Sequence, residues 1–315
     1  MPNRGSPNGA NHREQHRASG RSPLKLALGT VQFGLDYGIS NRQAQTSLEE
    51  ARSIVDRGLD AGLDLLDTAP GYGVSEAVLG EILGDRAPRI VTKTPQFRRQ
   101  RIERKDGRLL RESLFRSLEH LRRERVYGLL VHAADDLLKP GGEWLYATMV
   151  DLREEGLVQR LGVSVYTQEQ LDRVRARHDI QIVQVPVNVL DQRLLHSGVL
   201  DSLSRSGVEV HARSAFLQGA LLMDGENLPA CFSKYRDHFA EYRTFISDRG
   251  WSPVQAALGF VLALPQVDRV VCGVNNLAQW QELIQVTRQS IESSDLCRFG
   301  LDDEAALNPS RWENP

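Results

Sequence analysis

From Leu24 onward the chain alternates short, densely apolar runs with longer stretches whose apolar residues recur every three or four positions. Apolar runs of four to eight residues predict buried strands, and the three-to-four spacing predicts amphipathic helices. The runs at 24–30, 63–67, 89–93, 126–132, 158–165, 180–186, 208–212 and 267–273 therefore predict eight strands. Helices are predicted between them at 46–61, 108–123, 143–155, 167–177 and 194–206, with others opened by Ser75-Glu76, by Ser252-Pro253 and near residue 277. Residues 217–250 break the rhythm. They are irregular and rich in charge, which suits either a segment that closes over a ligand or a decorated helix.

Several of the strand runs are apolar almost throughout, as strands of a parallel sheet covered on both faces must be. Eight strand-helix units in about 270 residues suit a (β/α)8 TIM barrel, a single α/β domain over residues 23–315, with a doubly wound open sheet as the competing arrangement. No linker composition interrupts residues 24–300. The first 22 residues are polar and rich in Gly and Asn, the composition of a disordered leader, and they lack the apolar stretch of a signal peptide.

Composition narrows the function classes. With 41% hydrophobic and 25% charged residues in 315, the chain can bury a sizeable core. Its formal charge of -2 gives no basic field for nucleic acid or for an acidic membrane, and the basic run at 98–104 is short and interrupted. No apolar run reaches the roughly 18 residues of a membrane span. Cys231, Cys272 and Cys297 are odd in number and lack Cys-x-x-Cys spacing, which argues against a disulfide framework or a zinc cluster. That usage favours a reducing compartment, with the cytoplasm as the default. Oligomeric state leaves no mark in the sequence.

In such a barrel the active site lies at the C-terminal ends of the strands. Strand two ends in Asp67, the loop after it, "DTAPGYGVSE", carries Tyr72, strand three ends in Lys93 and strand four in His132. Each has an ordinary reading: a helix cap, a gap-filling phenol, a solvated strand end, a satisfied histidine. Together they place titratable groups where burial is expected and must be offset. A phenol is a weak acid, with a pKa of about 10, that a neighbouring ammonium strengthens. A carboxylate keeps that ammonium charged, and a histidine can donate to a carbonyl oxygen as negative charge develops on it. The set suits carbonyl reduction.

The same segments resemble the aldo-keto reductase superfamily. "LGTVQFG" (28–34) is similar to its opening strand and turn, "LDTAPGYGVSEAVLG" (66–80) to its Asp/Tyr signature, "VTK" (91–93) to its lysine strand and "LLVH" (129–132) to its histidine strand. "LGVSVY" (161–166), "IVQVPVNVLDQR" (182–193) and "CGVNN" (272–276) resemble its cofactor-side segments. The resemblance implies an NAD(P)(H)-dependent oxidoreductase in which Tyr72 is the general acid, Lys93 tunes it, Asp67 pairs with Lys93 and His132 orients the substrate carbonyl. It implies cofactor contacts at Gly29, Thr30 and Asp67, and at Ser164 and Gln184 for the nicotinamide carboxamide. Arg213, Ser214, Phe216 and Gln218 fall on the pyrophosphate loop, and Gly273, Val274, Asn275, Gln279 and Glu282 at the adenosine end, where helix-start amides suit phosphate. No metal is implied.

Three positions depart from the common pattern. Val165 stands where Asn is frequent. Arg213 replaces the aromatic that stacks on the nicotinamide; a guanidinium can stack there too, reach a phosphate, or form a salt bridge at the mouth. Asn275 stands where NADP-preferring members often carry a basic residue, so NADP(H) is favoured as the family default while NAD(H) stays open. Phe33, Tyr37, Phe97, Tyr166 and Phe216, with polar Gln32, Asp36, Gln192 and Arg193, suggest a small-molecule substrate that is a sugar or another polyhydroxylated aldehyde or ketone. The alternative function is a catalytically weak regulatory barrel that binds pyridine nucleotide. A metal-dependent hydrolase would need clustered ligands, and only His132 and His211 are at hand.

Overall fold

A computed structural model of the chain describes residues 24–38, 44–223, 225–292 and 294–312. Eight strands, β1 (Leu26–Gly29), β2 (Leu65–Asp67), β3 (Arg89–Lys93), β4 (Val126–Val131), β5 (Val158–Ser164), β6 (Ile182–Pro186), β7 (Glu209–Arg213) and β8 (Arg269–Gly273), close in sequence order into a barrel. Every neighbouring pair is parallel, and β8 returns to β1 with Leu26 opposite Val270 and Gly29 opposite Gly273. That closure rules out the open sheet and bears out the TIM barrel. The leader predicted over residues 1–22 lies outside the described residues.

The helices begin where their sequences cap them. Ser47, Thr167 and Asn276 accept from the backbone amide three residues on, and Ser252 with Gln255 forms a reciprocal capping box with Pro253 in the first turn. Two predicted segments differ. The stretch 194–206 is two short helices, Arg193–His196 and Val199–Arg205, because Gly198 between them takes φ 74°, which ends one helix and starts the next. The segment 217–250 opens as short 3-10 turns and settles into a helix at Arg236–Asp248.

Two apolar clusters divide the core. The larger lies between barrel and helices; the smaller, Ala27, Leu65, Val91, Leu130 and Ile182 with Tyr127 and Val271 against it, fills the lumen. Strand side chains alternate between faces, so a residue two positions beyond a lumen residue points inward one layer higher. From Leu65, Val91, Leu130 and Ile182 that rule leads to Asp67, Lys93, His132 and Gln184. Below the apolar layer a second polar layer closes the other end. There Asp64 bonds Arg89 (2.6 Å) and Arg269 (3.1 Å), and Glu209 bonds His211 (2.9 Å), Arg160 (3.4 Å) and the Tyr127 hydroxyl.

Candidate active site

At the C-terminal end of the barrel the Lys93 ammonium donates to Asp67 Oδ1 at 2.6 Å and to the Thr68 carbonyl at 2.9 Å, while Gln184 Nε2 donates to Asp67 Oδ2 at 2.8 Å. All three side chains are buried, Lys93 to 2% exposure. Burial alone would strip the charge from Lys93, but the Asp67 carboxylate and the Tyr72 phenol outweigh it and raise its pKa above the ordinary lysine value. The lysine is therefore a fixed cation under the mouth.

Tyr72 is brought over this pair by the loop rather than by a strand. The loop is tied down at both sides: Tyr72 N donates to the Ala69 carbonyl at 3.0 Å, and Ser75 Oγ donates to the Thr30 carbonyl at 2.8 Å. Its approach depends on two glycines in contact. A Cβ on Gly34 would lie 1.8 Å from the Tyr72 carbonyl oxygen, and one on Gly73, at φ 57°, would lie 2.3 Å from the Gly34 carbonyl oxygen. The result puts the Tyr72 ring 4.9 Å from Lys93 Nζ and edge-on to His132 with centroids 6.0 Å apart.

His132 follows β4 directly, and its amide donates to Thr94 Oγ1 at 3.2 Å. Burial, then the nearby Lys93 and Arg213 cations, depress its pKa to about 4 against the opposing pull of Asp67. Its imidazole is neutral at physiological pH.

These groups open onto a cavity of about 780 Å3. Its wall contains Asp67, Tyr72 and His132, and also Gly29, Thr30, Ser164, Gln184, Arg213, Ser214, Phe216, Gln218, Gly273, Val274, Asn275, Gln279 and Glu282. Of the catalytic and cofactor-contact residues expected from the sequence, only Lys93 is off the wall, beneath it. Arg213 forms no ion pair among the described residues; its Nη2 donates to the Val165 carbonyl at 3.2 Å, its Nη1 to Ser214 Oγ at 3.3 Å, and its guanidinium lies 4.1 Å from the centre of the Tyr166 ring. The backbone after it is held open, with Ser214, Leu217 and Gln218 all at positive φ.

The expected substrate contacts divide. Gln32, Tyr37, Tyr166 and Phe216 line the cavity. Phe33 is fully buried in the core, and Phe97 is packed against that core, its amide donating to Asp136. Asp36 is exposed outside the wall. Gln192 is spent on the Val189 and Leu296 carbonyls and Arg193 on a two-pronged pair with Asp191, so neither faces the cavity. Gln96 lines it from the loop after β3, Asp135 from the start of the short helix Asp135–Leu138 after β4, and Thr167 and Gln170 from the cap and first turn of the helix Gln168–Arg175 after β5. Gln96 lies in a loop without periodicity, and on helices a polar side chain is the ordinary solvent-facing pattern, so nothing in the sequence marked the four.

No described helix is long and apolar enough to cross a membrane, and among the described residues no group of three or more His, Cys, Asp or Glu side chains could hold a metal ion.

Comparison with known proteins finds relatives over most of the chain. Aldo-keto reductase YhdN of Bacillus subtilis (strain 168) is 25% identical over 302 residues, covering 88% of this chain and 89% of its own. D-threo-aldose 1-dehydrogenase of a Pseudomonas species is 25% identical over 240 residues, covering 64% and 71%. The holo form of aldo-keto reductase AKR11C1 from Bacillus halodurans shares the fold, with a TM-score of 0.70 at 21% identity over 88% of this chain and 94% of that one. The sequence profile described as the Aldo/keto reductase family matches residues 25–299, every strand of the barrel included, and the chain belongs to that family of oxidoreductases.

Proposed function

We propose that this protein interconverts a carbonyl compound and its alcohol with a nicotinamide dinucleotide, using Tyr72 as the acid in reduction and the base in oxidation. The observation that carries the proposal is the buried Lys93–Asp67 pair directly beneath the Tyr72 ring. Aldo-keto reductases use NAD(P)H as a class. The wall suits such a group: besides the unpaired Arg213 guanidinium, it carries two buried amide oxygens without a protein partner, Gln32 Oε1 and Asn275 Oδ1. When bound, the reduced cofactor supplies a hydride to the carbonyl carbon.

The chain's own residues do the rest. His132, neutral and half-buried, donates a hydrogen bond to the carbonyl oxygen and fixes its direction toward Tyr72. The Tyr72 hydroxyl gives its proton to that oxygen as negative charge gathers there. Lys93 stabilises the phenolate left behind, and Asp67, held by Gln184, keeps Lys93 charged and in place. Gly29, Thr30, Ser164 and Gln184 would hold the nicotinamide end, Arg213, Ser214, Phe216 and Gln218 the pyrophosphate, and Gly273, Val274, Asn275, Gln279 and Glu282 the adenosine.

A polyhydroxylated substrate, a sugar aldehyde or ketone, is supported by the amide and hydroxyl groups of Gln96, Thr167 and Gln170 at the cavity wall and by similarity to the aldose dehydrogenase. Purified protein should turn over at least one such compound with NADPH or NADH. Replacing Tyr72 with Phe should lower kcat by about 100-fold to 10,000-fold, the range for loss of a positioned acid, with cofactor affinity unchanged. Full turnover in Tyr72→Phe would remove Tyr72 from its role.

A further inference from the structure

We infer that this chain selects NAD(H) over NADP(H), through acceptor groups and a carboxylate gathered where the adenosine ribose would lie; the inference rests on the function proposed above. It reverses the sequence expectation that favoured NADP(H). The two cofactors differ by one group. NAD(H) offers a ribose hydroxyl that can donate, and NADP(H) offers a phosphate monoester, which only accepts and carries about two negative charges at neutral pH.

The wall at this end is built for a donor. Gln32 is 92% buried, since its exposure is 8%, and its Oε1 has no partner; the carboxamide is pressed so closely against Gly273 that a Cβ there would lie 2.3 Å from that oxygen. Asn275 Oδ1 is likewise buried and unpartnered. Two acceptors short of a donor are satisfied by hydroxyls and left worse off by a phosphate.

The charges point the same way. The wall from Gly273 to Leu283 holds no Lys, Arg or His, and its one ionic group is the Glu282 carboxylate. The helix Leu277–Val286, whose start could have taken an anion, is already capped by protein groups: Leu277 N donates to Oε1 of Glu50, on the helix Leu48–Asp60, at 2.5 Å and Gln279 N to Asn276 Oδ1 at 3.0 Å. Ahead of them Asn275 N donates to Gln279 Oε1 at 2.8 Å. A carboxylate thus already takes the first amide of that helix. The cavity's two arginines lie off this segment: Arg213 at the end of β7, and Arg311, paired with Glu304 at 2.8 Å, next to Trp312, whose ring meets Phe232 of the long segment after β7. Acid at the ribose hydroxyls and arginine at the 2'-phosphate are the general chemistry by which dinucleotide sites tell these cofactors apart.

Binding of NADH and NADPH to the wild-type protein, read by quenching of protein fluorescence and by calorimetry, tests this without turnover. NADH is expected to bind at least about 10-fold more tightly, and 5'-ADP to compete with it at least as well as 2',5'-ADP. In the Asn275→Arg/Glu282→Gln variant the NADH-to-NADPH affinity ratio should fall by more than about 10-fold, mainly through tighter NADPH. The competition between the two ADP isomers needs no variant, so it decides the matter if the double substitution does not fold. Equal affinities, or tighter NADPH and 2',5'-ADP, would overturn the inference and leave the oxidoreductase reading intact. Binding of neither dinucleotide would overturn that reading and this inference with it.

Discussion

The two ends of the barrel both bury charge, and they use it differently. At the N-terminal end the charges pair in two sets, Asp64 with Arg89 and Arg269, and Glu209 with Arg160, His211 and the Tyr127 hydroxyl; Arg89 also stacks 4.7 Å over the Tyr127 ring, and Asp64 Oδ1, Arg89 Nε, His211 Nδ1 and Arg269 Nε have no hydrogen-bond partner among the described residues. At the C-terminal end, the Lys93–Asp67 pair satisfies itself, but Tyr72, His132, Arg213, Gln32 and Asn275 face a cavity with contacts left to make. Glu209 shows what pairing does: burial pushes its pKa up, yet the His211, Tyr127 and Arg89 contacts hold it at about 2. Buried polar atoms without a protein partner occur at both ends, so incomplete pairing alone does not mark a ligand site. What marks the C-terminal end is that its incompletely paired groups line an open cavity.

Matched substitutions at the two ends should break that contrast if it is wrong. Lys93→Met leaves Asp67 buried without its cation, so it should cost about 3–5 kcal/mol of stability and lower kcat by at least about 1,000-fold. Glu209→Gln should cost about 2–3 kcal/mol, because Glu209 is half-buried and its partners keep some contacts, and it should leave kcat/KM within about threefold. Urea unfolding and steady-state kinetics on both variants measure this. A catalytic loss in Glu209→Gln as deep as in Lys93→Met would mean that the two ends act as one unit.

A smaller effect is expected where the catalytic end depends on backbone shape. In the loop that carries Tyr72, a Cβ on Gly71 would meet nothing within 4 Å, whereas one on Gly34 would overlap the Tyr72 carbonyl. Gly34→Ala should therefore displace Tyr72 by a fraction of an ångström to an ångström and lower kcat by about 100-fold, while Gly71→Ala stays near wild type. Equal kinetics for the two would show that Tyr72 is placed by something other than this backbone contact.

The catalytic end was legible in the sequence because its residues violate local expectation. A lysine closing the run "RIVT" and a glutamine inside "IVQVP" sit where apolar side chains belong, and strand alternation carries that anomaly straight to the barrel mouth. The N-terminal network was not legible. Arg89, Glu209 and Arg269 each look like a solvated strand start, and Asp64 meets Arg89 across 25 residues and Arg269 across 205 only once β8 has closed on β1. Gln192 and Arg193 were misread for a related reason: their polarity is consumed by nearby chain, which the residue type alone does not reveal. The Tyr72–Gly34 contact, joining two loops, belongs to the same class of facts.

The smallest effect separates the ends by pH. His132 has an ordinary value of 6.5 depressed to about 4, mainly by burial and then by Lys93, so between those values the unfolded chain takes up a proton that the folded chain refuses. Its contribution to stability is complete above about pH 6.5 and is lost as the pH falls toward 4, about 2 kcal/mol once solvent screening is allowed for. Glu209 falls from 4.5 to about 2, so its contribution is complete above about pH 4.5 and is lost only as the pH drops further toward 2. Acid should therefore loosen the catalytic end first. Urea midpoints at pH 7, 5.5, 4 and 3 should fall in two stages, with His132→Asn flattening the upper one and Glu209→Gln the lower. If His132→Asn keeps the full slope between pH 6.5 and 4, the proton enters elsewhere, and the neutral imidazole proposed to orient the carbonyl loses its support.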